Sequence, residues 1–142
     1  MYKKNKLGPG FDVPGKEIRY RDAFNNTLRE ELEYDKNVFI VGEDISGGFD
    51  KETKEPLDAW GGPFAATKGL VQDFGVNRIM DAPISEAGFV GAAIGAALTG
   101  LRPVVDLMYF DFTTIAFDQL LSNAAKSRYC LLYTSDAADD SL

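Results

Sequence analysis

Histidine is absent from all 142 residues of the chain, and cysteine occurs once. Without histidine the chain cannot build Ser/His/Asp or Cys/His catalysis or most zinc sites, unless a partner supplies the missing group. One cysteine excludes an internal disulfide framework, and no secretory signal opens the sequence, so a reducing cytoplasm is the expected location. Positive charge is also scarce: 15 Lys and Arg face 22 Asp and Glu, for a net charge of -7. Nucleic acid is therefore not expected as a partner, because phosphate binding needs a basic face. Long hydrophobic runs are missing too. The longest uncharged stretch, residues 87–101, has 15 residues, short of the roughly 20 that cross a bilayer. It reads as a buried helix, and no membrane partner is expected. The remaining chemistry must run on carboxylates, amides or a bound cofactor.

What is present has the profile of one globular domain: 45% hydrophobic, 12% aromatic and 26% charged residues. Residues 1–16, rich in Lys, Gly and Pro, read as a mobile N-terminal arm. From 19 to 34, Tyr20, Phe24, Leu28 and Leu32 lie four apart and predict an amphipathic helix. Residues 38–41 form a short continuous apolar run ended by Gly42, the pattern of a strand buried on both faces of a parallel sheet. Glu43 and Asp44 follow it. Residues 45–63 show no periodicity and make a loop of about twenty residues, a length that is usually functional or disordered.

A short helix is predicted over 67–74, stopped at Gly75, and a short strand over 78–81, ended by Pro83. Ser85 then stands where a helix N-cap belongs, with Glu86 in the first turn, where the helix dipole favours negative charge. Gly100 closes that helix, Pro103 opens a strand over 104–109, and a last amphipathic helix spans 113–129 with Ile115, Ala116, Leu120, Ala124 and Tyr129 on or near one side. Strands alternating with helices predict an α/β fold with a parallel sheet. Residues 130–142, CLLYTSDAADDSL, break the pattern and resemble the in-frame translation of a transposon-end sequencing adapter. They are expected to be a non-native tail, with the true protein continuing past Tyr129.

Glu86 is the leading candidate for chemistry. Its plain explanation is a helix start stabilised by about 0.3 to 1 kcal/mol. Its neighbours Ile84 and Phe89, and a helix rich in Gly and Ala, suggest instead a poorly hydrated carboxyl with a raised pKa, suited to proton exchange. Gly88, Gly91 and Gly95 each cost about 1 kcal/mol against Ala inside a helix, which suggests that another backbone or a flat ligand comes close. Glu43 and Asp44 occupy the strand-end edge where open α/β sheets bind ligands, and a solvated strand end explains them equally well. Met108 and Phe112 could form a ligand platform or simply pack in the core. Neither a G-x-G-x-x-G turn after a strand nor a P-loop is present.

The segments VFIVGED, AWGGPFAATKGL, DAPISEAGFVGAAIGAALTGLRPVVDLMYFDF and FDQLLSNAAKSRY resemble the β subunit of the thiamine-diphosphate-dependent 2-oxo acid dehydrogenases, the decarboxylating first component of those complexes. The resemblance runs in register over residues 18–129. Glu86, Gly91 and Gly95 fit its pyrimidine-domain signature, and the AWGGPF loop looks most like the acetoin dehydrogenase branch rather than the pyruvate or branched-chain enzymes. It implies a three-layer, parallel-sheet, transketolase-like pyrimidine-binding domain over 17–129. The second domain and an active-site histidine of such subunits find no counterpart, so the domain is expected to be truncated on its C-terminal side and inactive alone.

By the same resemblance, the cofactor is thiamine diphosphate. A protonated Glu86 would hydrogen-bond the aminopyrimidine ring nitrogen, favouring the imino tautomer that takes the thiazolium carbon proton. Ile84, Met108 and Phe112 would line or stack on the pyrimidine, with Glu43 in the same pocket as a second acid. Mg²⁺ and the diphosphate would be held by a Gly-Asp-Gly…Asn motif on a partner α subunit, since nothing in this chain matches it. A second β subunit and the dihydrolipoyl acyltransferase core are the other implied partners. The implied reaction converts acetoin or a 2-oxo acid to an acyl group on lipoamide. The rival readings are a transketolase or deoxyxylulose phosphate synthase type of enzyme, and a noncatalytic α/β subunit-interaction module.

Overall fold

The computed structural model describes residues 17–47 and 61–130. The expected arm, most of the long loop and nearly all of the expected tail lie outside them. Helix α1 (Tyr20–Tyr34) leads into strand β1 (Val38–Gly42), followed by α2 (Leu70–Phe74), β2 (Ile79–Asp81), α3 (Glu86–Leu98) and β3 (Arg102–Asp106). A 3₁₀ turn (Phe110–Phe112), α4 (Thr113–Asp118), a π-helical stretch (Gln119–Ala124) and α5 (Ala125–Cys130) complete it. All strand pairs are parallel, in the order β2-β1-β3, with Gly42 opposite both Asp81 and Asp106.

The alternation of β1 builds two cores. Val38 and Ile40 pack with Leu28, Leu32, Leu70, Val71 and Ile79 on the α1/α2 side. Phe39 and Val41 face Phe89, Val90, Ala93 and Ala116 on the α3/α4 side. A parallel sheet covered by helices on both faces needs strands that are apolar in both directions, which is why the VFIV run is continuous. Helices, sheet and helices make the three layers expected.

Several boundaries differ from the sequence pattern for identifiable reasons. Only Leu28 and Leu32 of the α1 stripe are buried, whereas Tyr20 is 82% and Phe24 47% exposed. The first turns of α1 instead border an open apolar cleft of about 980 Å³ beside β3, lined in part by Ile40, Phe64, Val104 and Met108. Strand β3 ends at Asp106 and not at residue 109, because the Asp106 carboxylate accepts the Met108 N–H at 2.8 Å. Aspartate bonding two residues ahead turns the chain in place of a sheet ladder. Met108 consequently has a left-handed backbone, with φ 60°.

The last helix is not one continuous α-helix. It widens into the π stretch at Gln119, whose side chain lies over Gly91. Its buried contacts run through Ala116 and Leu120, one α-turn apart, while Ile115 is 54% exposed. The nearest atoms to a Cβ at Gly88 or Gly91, outside the helix's own backbone, are side-chain atoms of Ser85 and Gln119, and Gly95 faces open space among the described residues.

Gly42 is the glycine whose absent side chain the sheet requires. A Cβ there would stand 2.8 Å from the Asp106 carbonyl oxygen and 2.9 Å from its Cβ. Gly42→Ala is expected to destabilise the domain by about 1 to 3 kcal/mol, the usual cost of overpacking, measured as a lowered urea midpoint. An unchanged midpoint would mean that β3 can move aside freely.

Candidate functional site

The C-terminal edge of the sheet gathers the buried carboxylates among the described residues. Glu43 leaves the end of β1 and Glu86 opens α3; their exposures are 8% and 6%. Two buried acids on separate elements are costly unless each is neutral or partnered. Burial, first, and then the charges of Glu86 and Asp44 hold the Glu43 carboxyl above its ordinary value. Its Oε1 is a buried side-chain oxygen with no hydrogen-bond partner among the described residues. An orphaned acceptor of this kind in an otherwise satisfied site calls for an explanation such as an absent ligand.

Glu86 sits at the first helical position as its sequence context predicts, but Ser85 does not cap with its side chain. The Ser85 hydroxyl donates instead to the Pro83 carbonyl oxygen at 3.1 Å. Phe89 shields Glu86's helix on the sheet side at 6% exposure, whereas Ile84 is 85% exposed and offers no such cover. Met108 follows β3 and lines the large cleft. Phe112 is half-buried in the 3₁₀ turn, its ring edge-on to Tyr109 at 5.8 Å, and Tyr109 meets Phe64 at 5.1 Å. The structure thus brings Glu43 and Glu86 together, leaves Ile84 standing free, and puts Met108 and Phe112 just beyond the neighbouring strand. Neither glutamate lines the 980 Å³ cleft. The strand ends, where the orphaned carboxyl lies, are the better candidate.

A set of residues unmarked by the sequence pattern holds the turn after β1. The Ser46 N–H donates to Asp81 Oδ1 at 2.8 Å, and its hydroxyl donates to Asp81 Oδ2. Thr67, 1% exposed, donates its hydroxyl to the Ile45 carbonyl at 3.0 Å, and the Gly62 N–H reaches the Asp44 carbonyl at 3.1 Å. Gly61 and Gly62, at φ 78° and 73°, take backbone shapes that L side chains rarely adopt. The paired glycines of AWGGPF are the sequence signal for this return loop; a lone serine and a strand-end aspartate give none. Thr67→Val keeps the volume but strands the buried Ile45 carbonyl, and is expected to cost about 1 to 3 kcal/mol. Equilibrium denaturation checks this, and equal stability would show that solvent reaches that carbonyl.

Among the described residues no group of three or more His, Cys, Asp or Glu side chains could hold a metal ion. No described helix is long and apolar enough to cross a membrane.

A parallel α/β sheet carrying a buried pair of acids at its strand ends, one of them opening a small-residue helix, defines a class of cofactor- or ligand-binding domain whose site lies at the sheet's carboxyl edge. Residues 16–137 match the family described as transketolase, pyrimidine binding domain, and the chain belongs to it. It is 47% identical over 112 residues to the acetoin:2,6-dichlorophenolindophenol oxidoreductase subunit beta of Bacillus subtilis (strain 168), covering 79% of this chain and 33% of that protein. The protein of the same description from Cupriavidus necator is 46% identical over 107 residues, covering 75% of this chain and 31% of its own length. The mitochondrial pyruvate dehydrogenase E1 component subunit beta-2 of Oryza sativa subsp. japonica is 40% identical over 119 residues, covering 84% and 28%. The chain therefore spans about a third of the length of these curated relatives.

Proposed function

We propose that this chain is the pyrimidine-binding part of the β subunit of a thiamine-diphosphate-dependent dehydrogenase, which converts acetoin or a 2-oxo acid to an acyl group passed to lipoamide. The observation that carries the reading is the orphaned Oε1 of Glu43, buried beside Glu86. These two acids fit an aminopyrimidine, which presents a ring nitrogen as acceptor and an amino group as donor. Family membership and the acetoin oxidoreductase and pyruvate dehydrogenase relatives support the same cofactor.

In this reading Glu86 holds a proton and donates it in a hydrogen bond to the pyrimidine ring nitrogen. Glu43 supplies the second acid of the pocket, its carboxyl held above its ordinary value chiefly by burial. Ile84, exposed at the entrance to α3, Met108 beyond β3 and Phe112 in the 3₁₀ turn supply the apolar surface against the ring. When bound, thiamine diphosphate supplies the carbanion chemistry, and the protein supplies orientation and proton positioning. The diphosphate and Mg²⁺ belong to an α subunit that completes the site. A second β subunit and a dihydrolipoyl acyltransferase core are the further partners of the assembled protein, and the cytoplasm is the proposed compartment.

The test is to assemble the complete β subunit with its α partner and follow dichlorophenolindophenol reduction with acetoin, pyruvate and branched 2-oxo acids. Turnover that depends on added thiamine diphosphate is expected, with acetoin preferred. Assembly without any cofactor binding or turnover would favour the interaction-module reading.

A further inference from the structure

The turn that carries Glu43 is fixed from an unexpected direction. Asp81 stands at the end of β2, directly opposite Gly42 in the ladder, one residue before Glu43 on the neighbouring strand. Although Asp81 is an exposed residue, both its carboxylate oxygens are engaged by Ser46, one by the backbone N–H and one by the hydroxyl. Two bonds from a charged acceptor to a single residue set both the position and the orientation of the turn, and charge-assisted bonds are roughly twice as strong as neutral ones. Between them, Asp44 is in the left-handed region at φ 54°, and Ile45 is fully buried. Residue 44 is not a glycine, so this conformation persists only where its surroundings enforce it.

The same strand end runs on towards Glu86. The Ala82 N–H donates to the Gly42 carbonyl at 2.8 Å, and α3 starts four residues later. Asp81 is thus the residue at which the Glu43 turn and the Glu86 approach are tied to one another. Asp106, opposite Gly42 on the other side, ties Met108 in this way and no other residue among those described.

We propose that Asp81 is a positioning residue, which by gripping Ser46 holds the turn after β1 so that Glu43 stays buried against Glu86. Asp81 acts through Glu43 and touches neither substrate nor cofactor. The proposal rests on the reading that the two glutamates serve one cofactor pocket. It distinguishes Asp81 from a strand-end acid that only adds stability, because its effect must disappear once Glu43 can no longer act.

The test uses the complete β subunit assembled with its α partner. Asp81→Ala and Ser46→Ala are each made in the wild-type and Glu43→Gln backgrounds. In the wild-type background each is expected to lower kcat about tenfold while leaving KM for acetoin within about threefold, the pattern of a lost transition-state interaction. In the Glu43→Gln background the same changes are expected to alter kcat less than about twofold, since residues acting through one group are not additive. Asp81→Asn, which keeps an acceptor for the Ser46 N–H, is expected to recover part of the loss. Equal losses in both backgrounds would overturn the proposal. If Asp81→Ala fails to assemble, the milder Ser46→Ala carries the same comparison.

A second readout needs no turnover. An infrared titration of the ¹³C-glutamate-labelled protein, with the Glu43 band assigned by its loss in Glu43→Gln, is expected to show Glu43 titrating at lower pH in Asp81→Ala than in wild type, as the turn loosens and water reaches the carboxyl. An unchanged titration would sink the positioning role. A wild-type assembly without thiamine-diphosphate-dependent turnover would instead sink the cofactor reading, and the titration would still decide whether Asp81 holds Glu43 in place.

Discussion

Glu86→Gln is expected to lower thiamine-diphosphate-dependent turnover of the complete assembled enzyme by 100-fold or more, since positioned proton transfer is commonly worth about 10² to 10⁴. Glutamine matches glutamate in size and can fill the same buried position at the start of α3. It cannot hold the exchangeable acid proton. The expected signature is a collapse of kcat with cofactor affinity changed only several-fold, read by steady-state kinetics beside calorimetric titration of thiamine diphosphate. Folding should be spared, because the substitution removes a buried acid and leaves the Phe89, Val90 and Ala93 contacts untouched. An unchanged rate would end the catalytic assignment of Glu86 and return it to a helix-start role.

Glu43→Gln separates activity from stability. Turnover is expected to fall about tenfold or more through loss of the second acid. Stability should move the other way as pH rises. The folded Glu43 carboxyl is held above the ordinary 4.5 by burial and by the Glu86 and Asp44 charges. Over the interval between the ordinary and the raised value, the unfolded chain has released a proton that the folded chain keeps. Unfolding is therefore favoured by rising pH across that interval, and this contribution to stability is present below 4.5 and lost as pH climbs to the folded value. Glutamine does not titrate, so the variant escapes the loss. Urea midpoints of wild type and Glu43→Gln taken from about pH 4 to pH 8 should diverge in the variant's favour and then run parallel. A difference independent of pH would contradict the raised carboxyl. Such a trade of stability for function is common where a site buries an uncompensated group.

The periodic parts of the chain were legible because their spacing follows directly from helix and strand geometry. The apolar VFIV run marked β1, and Gly and Ala after Glu86 marked α3, close to their observed bounds. Glu86's burial was legible too, since an uncharged helix leaves its first turn little water. What could not be read depends on partners distant in sequence. The adjacency of Glu43 and Glu86 was implied by the resemblance alone and not by spacing, because it follows from β1 lying beside β2, and strand order is not written in either segment. The early end of β3 depends on whether the Asp106 carboxylate bends back to the Met108 N–H. The exposed half of the α1 stripe depends on where the helix overhangs the sheet, not on its pattern. Nothing in the sequence singles out Asp81, because the residue it binds, Ser46, lies 35 residues earlier.

The middle strand of this sheet is also the first to be synthesised. Chains emerge from the ribosome N-terminus first, so β1 exists before either of its neighbours, and Glu43 at that stage is a wet carboxylate with ordinary acidity. Only when residues 79–81 and 102–106 have docked on either side, and α3 has delivered Glu86, does water leave it and its hold on a proton tighten. The proton affinity of a single side chain is thus a chemical timestamp of assembly, and a nascent chain stalled before β3 should titrate Glu43 at a lower pH than the folded domain does.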